Sequence, residues 1–164
     1  MTFSIQDHLL YRDGKPVNWR RSPNVGRLIT PTLIVIHYTG ANGLEGALSW
    51  LCATKSKVSA HLVVAKDGEV YQLVPFNRAA WHAGRSSYNG RHGVNNFSIG
   101  IENVGLVDVW PDAQVEANRA VIAALCEAYA IEDVVGHEDV APGRKTDPGP
   151  RYPWDRVCAE RTED

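Results

Sequence analysis

The chain has 164 residues, 44% hydrophobic and 22% charged, the balance of a globular domain with one core rather than of a fibrous or disordered chain. A net charge of −2 excludes any broad electrostatic attraction to nucleic acid or to an anionic membrane. No apolar run is long enough to insert into a bilayer, and the first residues lack the charged-then-apolar order of a secretory signal, so the expected compartment is the cytoplasm.

Residues 1–31 are mixed and turn-rich ("RDGKP", "SPNVG") and read as an irregular N-terminal arm. The β-branched run Leu33–Ile36 in "TLIVIHYTG" reads as a strand buried on both faces, ending at His37. Leu44, Ala47, Leu48 and Leu51 follow at helical spacing. In "SAHLVVAKDGEVYQLVP" two strand-like runs flank Asp67-Gly68, a strong hairpin signal. The stretch from Phe76 to Phe97 has little periodicity, and loops of that length are usually functional or disordered; its Trp81, Tyr88 and Phe97 argue for order. "SIGIENVG" reads as a further strand. The segment from Pro111 to Ala130 is the clearest helix, with Val115, Ile122, Leu125, Cys126 and Tyr129 on one face. "DVVGH" is a short strand that runs into the breaker-rich loop "GHEDVAPGRKTDPG", and Pro153 opens a last short helix. The order β-α-β-β-β-α-β-α gives a single-domain α/β fold, a central mixed sheet flanked by helices, with the arm at 1–31 and the domain proper at 32–164.

Three cysteines (Cys52, Cys126, Cys158), with no C-x-x-C, argue against a disulfide framework. His37 and His137 each end a strand, and Asp147 lies in a loop able to fold back towards them. Two imidazoles and a carboxylate would leave an open position on tetrahedral Zn²⁺, the pattern of catalytic rather than structural sites. Two satisfied polar histidines and an Asp-Pro-Gly turn explain the same residues, and the spacing does not decide. Lys145 could stabilise a developing oxyanion or simply be solvated. Glu102, near a strand end, could act as general base or face solvent. His61 and His82 remain candidate ligands or substrate contacts, whereas His8 and His92 sit in polar, exposed-looking contexts.

Taken together, "VIHYT", "VSAHLVVAKDGEVYQLVPFNRAAWHAG", "NNFSIGIENVG" and "GHEDVAPGRKTDPGPRYPWDRV" resemble the zinc-dependent N-acetylmuramoyl-L-alanine amidases of the type 2 amidase and peptidoglycan-recognition superfamily, nearest the AmpD type. The resemblance spans about residues 33–157 and leaves the arm unexplained. It implies metal ligands at His37, His137 and Asp147, a catalytic Glu102 and an oxyanion-stabilising Lys145. It puts His61, Trp81 and His82 at the floor and wall of a substrate groove. Phage-lysozyme-type members carry Tyr just before the position of His61; Ala60 stands there in this chain, which leaves the proton transfers to Glu102. The implied reaction is hydrolysis of the amide between the lactyl group of N-acetylmuramic acid and L-Ala of the stem peptide. The implied partners are peptidoglycan or soluble muropeptides, met by a monomer. A non-catalytic muropeptide-binding module and a zinc peptidase are the alternatives in function; release or non-Sec export to act on intact wall is the alternative in location.

Overall fold

A computed structural model of the chain describes residues 1–41, 43–106 and 109–158. Strands begin earlier than expected. β1 (Phe3–Gln6), β2 (Leu9–Arg12) and β3 (Lys15–Pro16) form an antiparallel meander, β4 (Asn18–Trp19) pairs with the central sheet, and β5 (Val25–Leu28) pairs with β9 (Arg78–Ala80). The arm is therefore not irregular. Its strands are two to four residues long, too short to show a period. The turns between them rest on positive φ at Asp7 and His8, and at Asp13 and Gly14, the conformation that two-residue hairpin turns require. Leu10 is buried in the main core, with Phe3 and Ile5 packed against it.

Most of the remaining elements match the sequence reading. β6 (Leu33–Tyr38) is followed by α1 (Leu44–Leu51), the hairpin β7 (Leu62–Val64) and β8 (Val70–Gln72), the pair β10 (Ser87–Tyr88) and β11 (Arg91–His92), and β12 (Ser98–Asn103). Then come α2 (Asp112–Ala128), β13 (Asp133–Gly136), α3 (His137–Val140) and α4 (Trp154–Val157). The exceptions are β9, β10 and β11, which lie in the stretch read as aperiodic, and α3, which lies in the loop read as irregular. Among the described residues six strands form one sheet in the order β13-β6-β12-β7-β8-β4; β13, β6, β12 and β7 run parallel, and the Asp67-Gly68 turn makes β7–β8 antiparallel. No described helix is long and apolar enough to cross a membrane.

Strand alternation divides the core. Ile34 and Ile36 of β6 face the side covered by α2, where Val115, Val121, Ile122 and Leu125 pack. Leu33 and Val35 face the other side, which Ala83, Val94 and Phe97 cover. The aperiodic stretch after Phe76 is thus the second layer over the sheet. On α2, Cys126 is exposed rather than on the buried face: the series 115, 118, 122, 125 supplies that face, and Cys126 lies one helical step beyond it.

Candidate metal centre and active-site cleft

Parallel register carries the site. Gly136 of β13 pairs with Ile36 of β6, so His137 emerges one residue later, beside His37. On the other side of β6, Glu102 of β12 pairs with His37 itself. Three chemistry-bearing side chains thus arise at the carboxyl ends of three adjacent parallel strands, the edge where open α/β sheets place their ligands.

The breaker-rich loop completes the cluster. It opens as one helical turn, α3, not as irregular chain throughout. The Asp139 carboxylate accepts the Gly136 N–H at 2.7 Å and caps that turn. The chain then turns at Gly143, where φ is +78°, and doubles back until the Glu138 N–H donates to the Asp147 carbonyl at 3.0 Å. Asp147 Oδ2 ends 3.0 Å from His37 Nδ1 and 3.3 Å from His137 Nδ1, and the two rings are 4.5 Å apart.

These three residues offer one ligand atom each, all within 4.8 Å of one another, and both histidines are buried. The donor set suits a cation. His137 Nε2 lies 3.0 Å from the Ala83 carbonyl, which can only accept, so that nitrogen carries the ring hydrogen and Nδ1 presents its lone pair inward. A carboxylate aimed at such lone pairs needs positive charge between them. Burial raises the Asp147 carboxyl, but the two imidazoles beside it outweigh burial and hold the group well below the usual carboxylate range. Asp147 is an anion ready to ligate.

Glu102 lies alongside, with Oε1 4.0 Å from His37 Nδ1. Its Oε2 is buried and has no hydrogen-bond partner among the described residues. Burial pushes its carboxyl above the usual range, opposed by His37 and Lys145 and aided by Asp147. A buried carboxylate oxygen left unpaired is costly, and it leaves Glu102 with an unused hydrogen-bonding atom at the cleft. Lys145, Asp147, Glu102, His37 and His137 line a cleft of about 690 Å³.

The other three expected groove residues separate. Trp81 lines the cleft and is half-exposed, packed where Gly26 of β5 leaves room for its indole. His82 lines the cleft too, but it is mostly buried, and Nδ1 lies 2.9 Å from His37 Nε2. His61 is not a groove residue. It is 0% exposed, its Nδ1 accepts the Gly100 N–H at 3.0 Å and its Nε2 donates to the Arg78 carbonyl at 2.7 Å. Both nitrogens are spent on tying β12 to β9, and burial lowers the ring's pKa to about 4. Sequence reasoning missed Trp50, 54% exposed on the cleft wall, and Arg144, whose guanidinium donates to the Ala83 and Arg85 carbonyls at 2.6 and 2.8 Å. For Trp50 a signal was present: an indole on α1 outside the Leu48 and Leu51 stripe.

The profile of the family described as N-acetylmuramoyl-L-alanine amidase matches residues 27–150. The 1,6-anhydro-N-acetylmuramyl-L-alanine amidase AmpD of Enterobacter cloacae is 51% identical over 153 residues, covering 80% of this chain and 81% of that protein. The crystal structure of a selenomethionyl AmpD derivative superposes with a TM-score of 0.85 at 35% identity, covering 94% and 97% of the two chains. The Escherichia coli amidase AmiD, in complex with the substrate anhydro-N-acetylmuramic acid-L-Ala-D-γ-Glu-L-Lys, superposes with a TM-score of 0.72 at 29% identity over 96% of this chain and 65% of that one. A His-His-Asp cluster at parallel strand ends, a matching profile over most of the length and half-identical relatives converge on one assignment: the chain belongs to the N-acetylmuramoyl-L-alanine amidase family and is of the AmpD type.

Proposed function

We propose that this amidase is zinc-dependent, works as a cytoplasmic monomer, and cleaves soluble 1,6-anhydro-muropeptides rather than intact wall. The observation that carries the reading is the convergence of His37, His137 and Asp147 on one point, with the unpartnered Glu102 Oε2 beside it. The substrates in the names of the AmpD and AmiD relatives supply the anhydro-sugar.

The three residues would hold Zn²⁺, which supplies Lewis acidity to the scissile carbonyl and lowers the pKa of the attacking water. Glu102 takes the proton from that water as it adds to the carbonyl carbon. Its raised pKa suits the second task, returning the proton to the L-Ala nitrogen as the C–N bond breaks. Lys145 Nζ donates to the carbonyl oxygen while negative charge grows there. Trp50 and Trp81 present apolar faces to the substrate along the wall.

Zinc-loaded protein is incubated with anhydro-N-acetylmuramyl-tripeptide and, separately, with intact sacculi, and the products are weighed by mass spectrometry. Free tripeptide from the soluble substrate, lost on chelation and restored by zinc, is the expected result. Faster release from sacculi overturns the recycling role, and cleavage inside the peptide overturns the amide assignment.

A further inference from the structure

His82 has a neighbour on each nitrogen, and the directions of those hydrogen bonds can be worked out from one end. Ser98 Oγ lies 2.7 Å from the Val94 carbonyl oxygen. A carbonyl has no hydrogen, so the serine hydroxyl donates there. That leaves Ser98 with only lone pairs for His82 Nε2, 3.0 Å away, and the imidazole must donate. A neutral His82 with its hydrogen on Nε2 has a bare Nδ1. The contact of that atom with His37 Nε2, at 2.9 Å, is then made by a hydrogen on His37. His37 in turn keeps Nδ1 bare, the atom that faces Asp147.

The ring could not sit there over an ordinary strand. A Cβ on Gly100 would come within 2.4 Å of His82 Cγ and 2.7 Å of Nδ1. Gly100 lies inside β12, where glycine weakens a strand and often marks a close approach. The two Asn95 Oδ1 bonds to the His82 and Ala83 N–H groups, at 3.1 and 2.8 Å, fix the backbone that carries the ring.

We propose that His82 is a positioning residue for the metal site: the relay from the Val94 carbonyl through Ser98 and His82 fixes His37 in the tautomer and orientation that present Nδ1 to the metal, and Gly100 exists to admit the ring. The inference rests on the zinc reading above. It gives His82 a place behind the metal ligand rather than against the substrate. Partners behind a ligating histidine typically contribute about 10- to 100-fold to metal affinity.

Zinc affinity is measured by chelator competition on wild type, His82→Ala, His82→Gln, Ser98→Ala and Gly100→Ala. His82→Ala and Gly100→Ala are expected to weaken zinc binding about 10- to 100-fold. Ser98→Ala is expected to weaken it about 2- to 10-fold, the worth of one hydrogen bond. His82→Gln, whose amide can accept from His37 and donate to Ser98, is expected to recover much of the loss. Cobalt-loaded His82→Ala is expected to show an altered visible spectrum. Ring-nitrogen NMR of the wild type reads the tautomers directly, whether or not the larger substitutions fold. Hydrogens on Nε2 of both His82 and His37 are expected, and one on Nδ1 of either overturns the relay. Zinc binding by Ser98→Ala and His82→Ala equal to that of a zinc-binding wild type overturns the proposal alone. A wild type that does not bind zinc overturns the cofactor reading as well.

Discussion

Replacing Asn118 with Ala tests whether the strand that carries His37 is held by a buried polar chain. The Tyr152 hydroxyl donates to Asn118 Oδ1 at 2.8 Å, Asn118 Nδ2 donates to Asn103 Oδ1 at 2.7 Å, and Asn103 Nδ2 donates to the His37 carbonyl at 3.1 Å. The chain crosses from the loop before α4, through α2, to β12 and β6. All three side chains are buried, and burial keeps the Tyr152 hydroxyl well above its usual pKa and so a donor. Asn118→Ala leaves the Tyr152 hydroxyl and Asn103 Oδ1 without their partners in the chain. Each such group costs about 1–3 kcal/mol, so a loss of about 2–6 kcal/mol is expected, a large part of a typical stability of about 5–15 kcal/mol. Tyr152→Phe strands only Asn118 Oδ1 and is expected to cost about 1–2 kcal/mol, and less in the Asn118→Ala background. Urea denaturation of the metal-free single and double variants at neutral pH measures all three. A loss below about 1 kcal/mol for Asn118→Ala, or additive costs in the double variant, would refute the network.

Lys145→Ala is expected to retain zinc and lose about 10²–10³ in kcat, read by metal analysis beside turnover of anhydro-muropeptide; wild-type turnover removes the oxyanion role. Glu102→Gln keeps the shape and cannot take a proton, so turnover should fall about 10²–10⁴ with zinc still bound. A linked zinc loss would instead place Glu102 among the ligands. His61 gives a pH prediction. The unfolded ring takes its proton near 6.5 and the buried ring resists until about 4. Its contribution is therefore full above pH 6.5 and declines as pH falls towards 4, at about 1.4 kcal/mol per pH unit and roughly 3 kcal/mol in all. Stability measured across that window should fall more steeply in wild type than in His61→Gln, and parallel curves would sink the argument.

The chemistry-bearing residues were legible where the signal was local. A β-branched run that stops at a histidine announces a strand end, and Asp-Gly between alternating residues announces a hairpin. What no local pattern contains is register between distant strands. "VIHYT" and "VVGH" say that two strands end in histidine; that these strands are neighbours and in step appears only in the sheet. His61 shows the same limit from the other side. A histidine opening a strand reads alike whether it faces a groove or the core, and only the Gly100 N–H and the Arg78 carbonyl decide. The N-terminal strands escaped because pairing, not periodicity, makes them strands: two to four residues cannot display an alternation that a partner then stabilises.

Two glycines unite these observations. Gly100 of β12 and Gly136 of β13 flank β6, in register with Val35 and Ile36. Gly100 lies inside its strand, where glycine is disfavoured, and Gly136 closes β13. Each lies where a support of the His-His-Asp cluster comes closer to the sheet than a Cβ permits: the His82 ring at Gly100, and Pro148, the neighbour of Asp147, 2.8 Å from a Cβ at Gly136. A parallel sheet can bring His37 and His137 side by side on its own. It cannot, with ordinary side chains, bring a ring behind one histidine and the Asp147 loop down over the other. The local cost in strand stability falls on β12, beside β6, while β6 itself keeps an unbroken apolar run up to His37. That division explains why the strand most plainly legible in the sequence is also the one on which the site is assembled.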